Sequence, residues 1–318
     1  VAEDANGKDF RVRARRGVVI ATGGFEWNEN LVKTFLRGPL TGPVSVPENE
    51  GDGLIMAIEA GAQLGNMQNA FWQQSVLEFE PQHRNAKPNY MLGSDERARP
   101  GAILVNRAGK RFVNEAANYH AMGKALHAFD AGTHSYSNLP YWLIIDQRYK
   151  DKYPTFTSPP GSPIPPYMIQ AETLEDLAGK AGIDAKGLTA TIARFNEMVR
   201  NGHDDDFNRG ENTYDNFYMW GDPEFDPPYR TLGVIDRAPF YAVKMEVGAL
   251  GTCGGPKTNA DAQVLDWSGN PIPGLYAAGN VMAAVLGEAY GGAGGTLGPG
   301  MTFGYIAGRH LGTHLSNN

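Results

Sequence analysis

The 318-residue chain has one cysteine, Cys253, which excludes an internal disulfide and any thiolate zinc cluster. A reducing, cytoplasmic compartment is the expectation that follows. Positive charge is not in excess either: 28 Lys and Arg stand against 35 Asp and Glu, a formal net charge of −7, so no nucleic-acid partner is expected. No apolar run approaches the roughly 18 to 20 residues of a bilayer-crossing helix, and no charged leader precedes an apolar segment. A soluble protein without a transmembrane segment is expected. Histidines with ligand spacing are lacking too, and His203-Asp-Asp-Asp206 has neither the spacing nor the glycine of a calcium loop. It reads as a solvated turn, and no metal is expected. Finally, no Gly-x-Gly-x-x-Gly occurs anywhere, so the first phosphate turn of a dinucleotide fold is not in this chain.

Glycine, by contrast, is plentiful. Its 40 copies are near twice the average usage of roughly 7%, and they gather where backbone must approach something closely. Asp9-Phe-Arg-Val-Arg-Ala-Arg15 alternates like a strand, and Gly17-Val-Val-Ile-Ala21 reads as a buried strand. Strands so near residue 1 suggest that further material precedes it. A helix is expected over residues 28–35 with Asn28 as its cap, and Gly51-Asp-Gly53 opens a small-residue helix suited to packing on a sheet.

Between residues 71 and 247 the texture becomes aromatic, proline-rich and irregular. Strands are expected at residues 102–106 and 142–146, and Leu188, Ile192, Phe195 and Val199 mark the core face of a helix over 184–200. Residues 154–166 and 223–239 read as surface loops. The glycine-rich texture returns after residue 248, with a hairpin turning at Trp267-Ser-Gly-Asn270 and a strand entering a tight loop at Gly274-Leu-Tyr-Ala-Ala-Gly279. A last helix should open near Gly298-Pro299, with Met301, Ile306 and Leu311 on its apolar side. The expected organisation is an α/β domain from residues 1–75 and 248–318, interrupted by a second domain at 76–247.

Five of the eight residues from 291 to 298 are glycine, and they lead into a helix start. Unencumbered N–H groups at such a junction suit negative charge, be it a phosphate, an oxyanion or the reduced N1–C2=O edge of a flavin. Thr22-Gly-Gly24, after a strand, is a second close-approach turn. Cys253 reads as a small packed residue.

Four motifs then resemble one family: Gly17-Val-Val-Ile-Ala-Thr-Gly-Gly-Phe25, Gly51-Asp-Gly53, Gly109-Lys-Arg-Phe-Val-Asn-Glu115 and Pro271-Ile-Pro-Gly-Leu-Tyr-Ala-Ala-Gly279. In this order they resemble the FAD-dependent fumarate reductase and 3-ketosteroid dehydrogenase superfamily. The resemblance implies a Rossmann-like FAD domain, here partial, interrupted by an α+β substrate-capping domain. It places FAD against Ala21, Thr22, Gly23, Gly24, Ala278, Gly279, Asn280, Thr296, Leu297 and Gly298.

The dicarboxylate clamp of fumarate enzymes is missing, since those places read Gly251-Thr252 and Gly295-Thr-Leu-Gly298. Glu288-Ala-Tyr-Gly-Gly-Ala-Gly-Gly295 instead resembles the loop of 3-ketosteroid Δ1-dehydrogenases. That resemblance implies that Tyr290 and the Gly294 N–H bind a 3-keto oxygen, and that Tyr119 removes the C2 proton while hydride leaves C1 for flavin N5. Because a free tyrosine with pKa near 10 is a poor base, Tyr119 needs a partner. The expected substrate is a bulky apolar ketone, a steroid above all, with the electron acceptor unspecified. No arginine or histidine lies in residues 248–303, and Phe71, Trp72, Tyr119, Tyr141 and Trp142 are candidate walls. Alternatives are a Δ4-(5α) steroid or other enone oxidoreductase of the same superfamily, and a catalytically inactive partial chain that binds a partner.

Overall fold

The computed structural model describes residues 2–3, 7–79, 87–93, 95–218 and 221–313. Two compact units divide the chain: Val1–Leu36, Glu48–Ala70 and Gly251–Asn318 form one, and Arg37–Pro47 with Phe71–Leu250 form the larger. Residues 37–47, 71–75 and 248–250, expected in the outer domain, thus fall in the larger unit.

In the smaller unit, Val18–Ile20 runs parallel to Pro271–Ala277, pairing Val18 with Leu275 and Ile20 with Ala277. Gln263–Leu265 joins antiparallel on the other side of Pro271–Ala277. The hairpin between them turns on Asp266, whose carboxylate accepts from the N–H groups of Ser268 and Asn270 at 2.8 and 2.9 Å, with Gly269 at φ +81°. Val18–Ile20 is an edge strand, so the expectation of a buried run holds only at Ile20; Val18 and Val19 are 52% and 37% exposed. The expected strand at 9–15 is only Asp9–Phe10; the segment from Arg11 to Arg16 lies exposed and joins no ladder among the described residues.

Two helices shape this unit. Asn28 caps Glu29–Phe35 as expected, accepting from the N–H groups of Asn30 and Leu31. Asp52–Glu59 follows Gly51, at φ +89°, and approaches the strands so closely that a Cβ on Gly53 would lie 2.2 Å from Thr22 Oγ1 and 2.5 Å from Ile20 Cγ2. Glycine is therefore required at 53 by packing. The last helix, Leu297–Thr313, buries Ala307 with Phe303, Ile306 and Leu311 against Ala262 and Tyr276. Met301 departs from the expected apolar side and is 75% exposed. At 3.6 residues per turn it shares a face with Leu297 and Tyr305, opposite Phe303 and Ile306.

The larger unit is built on a six-stranded sheet. Its order is Asn89–Leu92, Ala70–Phe79, Phe240–Thr252, Tyr141–Asp146 and Ala102–Asn106, with Met168–Ala171 also pairing Phe240–Thr252. Ile103, Val105, Trp142 and Ile144 share one face by strand alternation and pack on Leu188, Ile192, Phe195 and Val199 of the helix Ala185–Asn201. That helix starts at the Asp184 cap and stops at Gly202, φ +73°. Trimming Phe195, fully buried, to alanine would cost about 3–5 kcal/mol.

Candidate active site

Ladder geometry sets the first half of the site. Ala278 N–H donates to Ile20 O at 3.0 Å, so the parallel pair ends with Ala21–Gly24 and Ala278–Asn280 side by side. The carboxyl ends of parallel strands are where open α/β sheets receive ligands. A Cβ on Gly300 would come 3.4 Å from Gly279 Cα, which brings the opening of helix Leu297–Thr313 beside the same loop. The structure thus gathers Ala21, Thr22, Gly23, Gly24, Ala278, Gly279, Asn280, Thr296, Leu297 and Gly298 within one unit.

The support beneath them is polar and buried. Glu26 accepts from Thr252 N–H at 3.2 Å and from Asn49 Nδ2 at 2.8 Å, while Phe25 N–H donates to Thr252 Oγ1. A Cβ on Gly24 would stand 2.2 Å from Glu26 Oε2 and 2.4 Å from Thr252 Oγ1. The turn is therefore seated on its own chain. Glu26, Asn49 and Thr252 were not legible as a set, because their positions are up to 226 residues apart.

Tyr290 is buried, and a Cβ on Gly295 would lie 2.4 Å from its ring, so the glycine loop folds over the tyrosine. Gly294 is in the left-handed region at φ +87°. The helix opens at Leu297, one residue before the expected Gly298-Pro299, and the Gly298 N–H is already donated to Gly294 O at 2.8 Å. Cys253 is packed as expected: burial, with Glu288 nearby, pushes its thiol up to about 12.

Open space faces some glycines and not others. Nothing stands within 4 Å of a Cβ placed on Gly279, Gly294 or Gly298, whereas Gly24 and Gly53 are filled by neighbouring side chains. Backbone bare on one side and braced on the other fits close approach by a flat ring system such as a flavin. A scan against family models matches residues 1–297 to the FAD binding domain. The chain belongs to this FAD-binding family. FAD is the cofactor of the family, and its residues here would be those around Gly279 and Gly298.

Relatives agree. The chain is 44% identical over 313 residues to a 3-oxosteroid 1-dehydrogenase of Mycobacterium tuberculosis, covering 94% of this chain and 53% of that one. To a 4-oxocyclohexanecarboxylate 2-dehydrogenase of Sinomonas cyclohexanicum it is 42% identical over 301 residues, covering 95% and 52%. The crystal structure of 3-ketosteroid Δ1-dehydrogenase from Sterolibacterium denitrificans, in complex with 1,4-androstadiene-3,17-dione, matches with a TM-score of 0.89 at 37% identity, covering 97% and 55%. The chain spans about half the length of the curated relatives it matches.

Tyr119 lies in the larger unit. It opens the helix Tyr119–Leu126, capped by Asn118, whose side chain accepts from His120 N–H at 2.8 Å. The side chain is 8% exposed, and its carbonyl accepts from Gln74 Nε2 at 3.2 Å. Other candidate walls are core instead. Trp142 packs in the sheet–helix core, Tyr141 donates to Glu246 O at 3.0 Å, and Trp72 lies against Gly123 and His127. Phe71, at 4% exposure, is buried as well.

The larger unit also holds a buried ion cluster that residue patterns did not reveal. Arg111 spans Glu115 and Asp204 with four hydrogen bonds of 2.7–2.9 Å, and Arg209 Nη1 reaches Glu115 Oε2 at 3.1 Å. Burial would raise the Glu115 carboxyl, but Arg111 and then Arg209 overcome it and hold the group below the usual carboxylate range. Asp204, expected in a solvated turn, is fully buried because Arg111 reaches it. No described helix is long and apolar enough to cross a membrane.

Proposed function

We propose that the protein containing this chain is an FAD-dependent dehydrogenase that desaturates a cyclic ketone next to its carbonyl, with a 3-keto steroid at C1–C2 as the first candidate. The observation that carries this reading is the glycine loop folded over Tyr290 beside glycines open to a ligand. FAD, when bound, supplies the acceptor for hydride. The Tyr290 hydroxyl and the Gly294 N–H hold the ketone oxygen, where charge grows as the α-carbon loses its proton. Tyr119 takes that C2 proton, and its burial keeps water from competing.

The relative named for 4-oxocyclohexanecarboxylate sustains a second reading in which the ring ketone carries a carboxylate. Both substrates share the ketone and the adjacent C–H bond. They differ in charge, and the cation-poor stretch from 248 to 303 favours the neutral one.

The test is anaerobic flavin reduction by the full-length protein, with a saturated 3-keto steroid deuterated at C2 and with 4-oxocyclohexanecarboxylate in parallel. Slowing on deuteration with the steroid supports the reading, and reduction only by the carboxylate overturns the steroid assignment. Gly298→Val, whose Cβ has no protein atom within 4 Å, should cut flavin content while leaving the melting temperature of the flavin-free protein near that of the flavin-free wild type. Full flavin stoichiometry would remove Gly298 from the cofactor site.

A further inference from the structure

We propose that Arg97 is a positioning residue for Tyr119, fixing the backbone from which the tyrosine projects. This rests on the reading of Tyr119 as the base. Arg97 sits in the turn Glu96–Ala98 and is fully buried. Among the described residues it makes no ion pair; the carboxylate of Glu115 is taken by Arg111 and Arg209. Its Nη1 is spent on two main-chain carbonyls, those of Glu115 and Ala117, the latter at 3.0 Å. A buried cation carries a large desolvation cost, so a guanidinium without a carboxylate, bonded to two carbonyls of one short loop, is placed to hold that loop.

The loop ends at the tyrosine. Ala117 is followed by the Asn118 cap and then by Tyr119, the first residue of its helix, so a shift at Ala117 passes directly to the Tyr119 Cα. Arg97 is itself braced, since Arg209 Nη2 donates to the carbonyls of Arg97 and Arg99 at 3.1 and 3.0 Å. From the other side, Asn114 Oδ1 accepts from Ala116 N–H at 2.8 Å while its amide donates to Asp215. The loop is held at both edges: Arg97 takes the carbonyls of Glu115 and Ala117, while Gln74 Nε2 donates to the Tyr119 carbonyl itself at 3.2 Å. Burial pushes the guanidinium down to about 10, which leaves it charged at neutral pH. A displacement on the order of 1 Å at a reacting group can cost about 10²-fold in rate.

The experiment is a double-mutant cycle in the full-length, FAD-loaded protein, with Arg97→Lys, Tyr119→Phe and the pair. Flavin reduction by C2-deuterated 3-keto steroid, ligand affinity by fluorescence and melting temperature are read for each. Arg97→Lys should lower the reduction rate by roughly 10-fold or more with ligand affinity within about 2-fold, and the pair should be no slower than Tyr119→Phe alone. Multiplicative losses in the pair would overturn the positioning role while leaving Tyr119 as the base. Unchanged reduction in Tyr119→Phe would overturn the base reading and the proposal with it. If Arg97→Lys does not fold, Arg97→Gln, which keeps an N–H donor for the same two carbonyls, is put through the same cycle, and a loss that multiplies with that of Tyr119→Phe would equally overturn the proposal.

Discussion

The two units hold their residues by different means. In the larger, the strand Tyr141–Asp146 is buried at every position, and even its charges are interior, with Arg111, Arg209, Glu115 and Asp204 in mutual contact. In the smaller, the edge strand exposes Val18 and Val19, and the last helix exposes Leu297, Met301 and Tyr305 at 72%, 75% and 69%. Both units bury apolar side chains, but the larger adds a buried ion cluster while the smaller places bare glycines at its backbone turns. The difference teaches where substitutions should act: on stability in the first, on ligand retention in the second.

The sharpest way to break that contrast is Glu115→Gln. Glu115 opposes two buried arginines and also accepts from Leu104 N–H at 3.2 Å. Removing its charge leaves Arg209 without a carboxylate, a change that costs about 3–5 kcal/mol in buried pairs. Urea unfolding should show that loss at pH 7. Because the folded-state pKa is lowered, the stabilisation is present above the ordinary carboxylate pKa and disappears as pH falls through the folded value. The wild type and Glu115→Gln should therefore converge in acid. A loss below about 1 kcal/mol at pH 7 would mean that the cluster does not hold the larger unit.

Legibility in the sequence followed the range of the interaction. The helix Ala185–Asn201 and the Asn28 cap depend on neighbours a few residues away, and the residues alone predicted them; Asp184, expected as the first residue of that helix, is its cap. The glycine turns at 22–24 and 278–280 were visible as turns, but their pairing joins positions over 250 residues apart. Alternation at Asp9–Arg15 misled because a polar–apolar period needs a partner strand to become a ladder. Of the aromatic residues expected to line a pocket, Trp142 packs in the sheet–helix core and Phe71, Trp72 and Tyr141 are buried as well, and composition does not distinguish a wall from a core. Arg97 carried no signal at all, since its partners are carbonyls.

A smaller effect would sharpen the account of the larger unit. Burial pushes the Glu96 carboxyl up to about 7, against the Phe156 N–H that donates to it at 3.1 Å. A raised carboxyl stabilises the fold fully below its unfolded value near 4.5, and that contribution is lost as pH rises through 7. Glu96 keeps some contact with solvent, so the loss should be on the order of 1–2 kcal/mol rather than the full conversion of the shift. Melting temperatures of wild type and Glu96→Gln from pH 5 to 8.5 should diverge upward in pH, with the glutamine variant the flatter. Parallel curves would assign the group to solvent.

The smallest effect concerns the two faces of one helix. Ile306 packs against Ala262, Tyr276 and Ala307, whereas Met301, on the opposite face, is 75% exposed. Ile306→Ala removes partly buried methyl groups and should cost about 1–2 kcal/mol, below the fully buried range. Met301→Gln keeps chain length and helix propensity and loses almost no buried surface, so its change should stay within about 0.5 kcal/mol. Urea unfolding of this 318-residue chain measures both. The ratio decides the point, because both substitutions share one helix and one background. A Met301→Gln loss equal to that of Ile306→Ala would show that the exposed face is buried in solution, by a second copy or another surface. The contrast between a closed unit and an open one would then belong to the isolated chain alone.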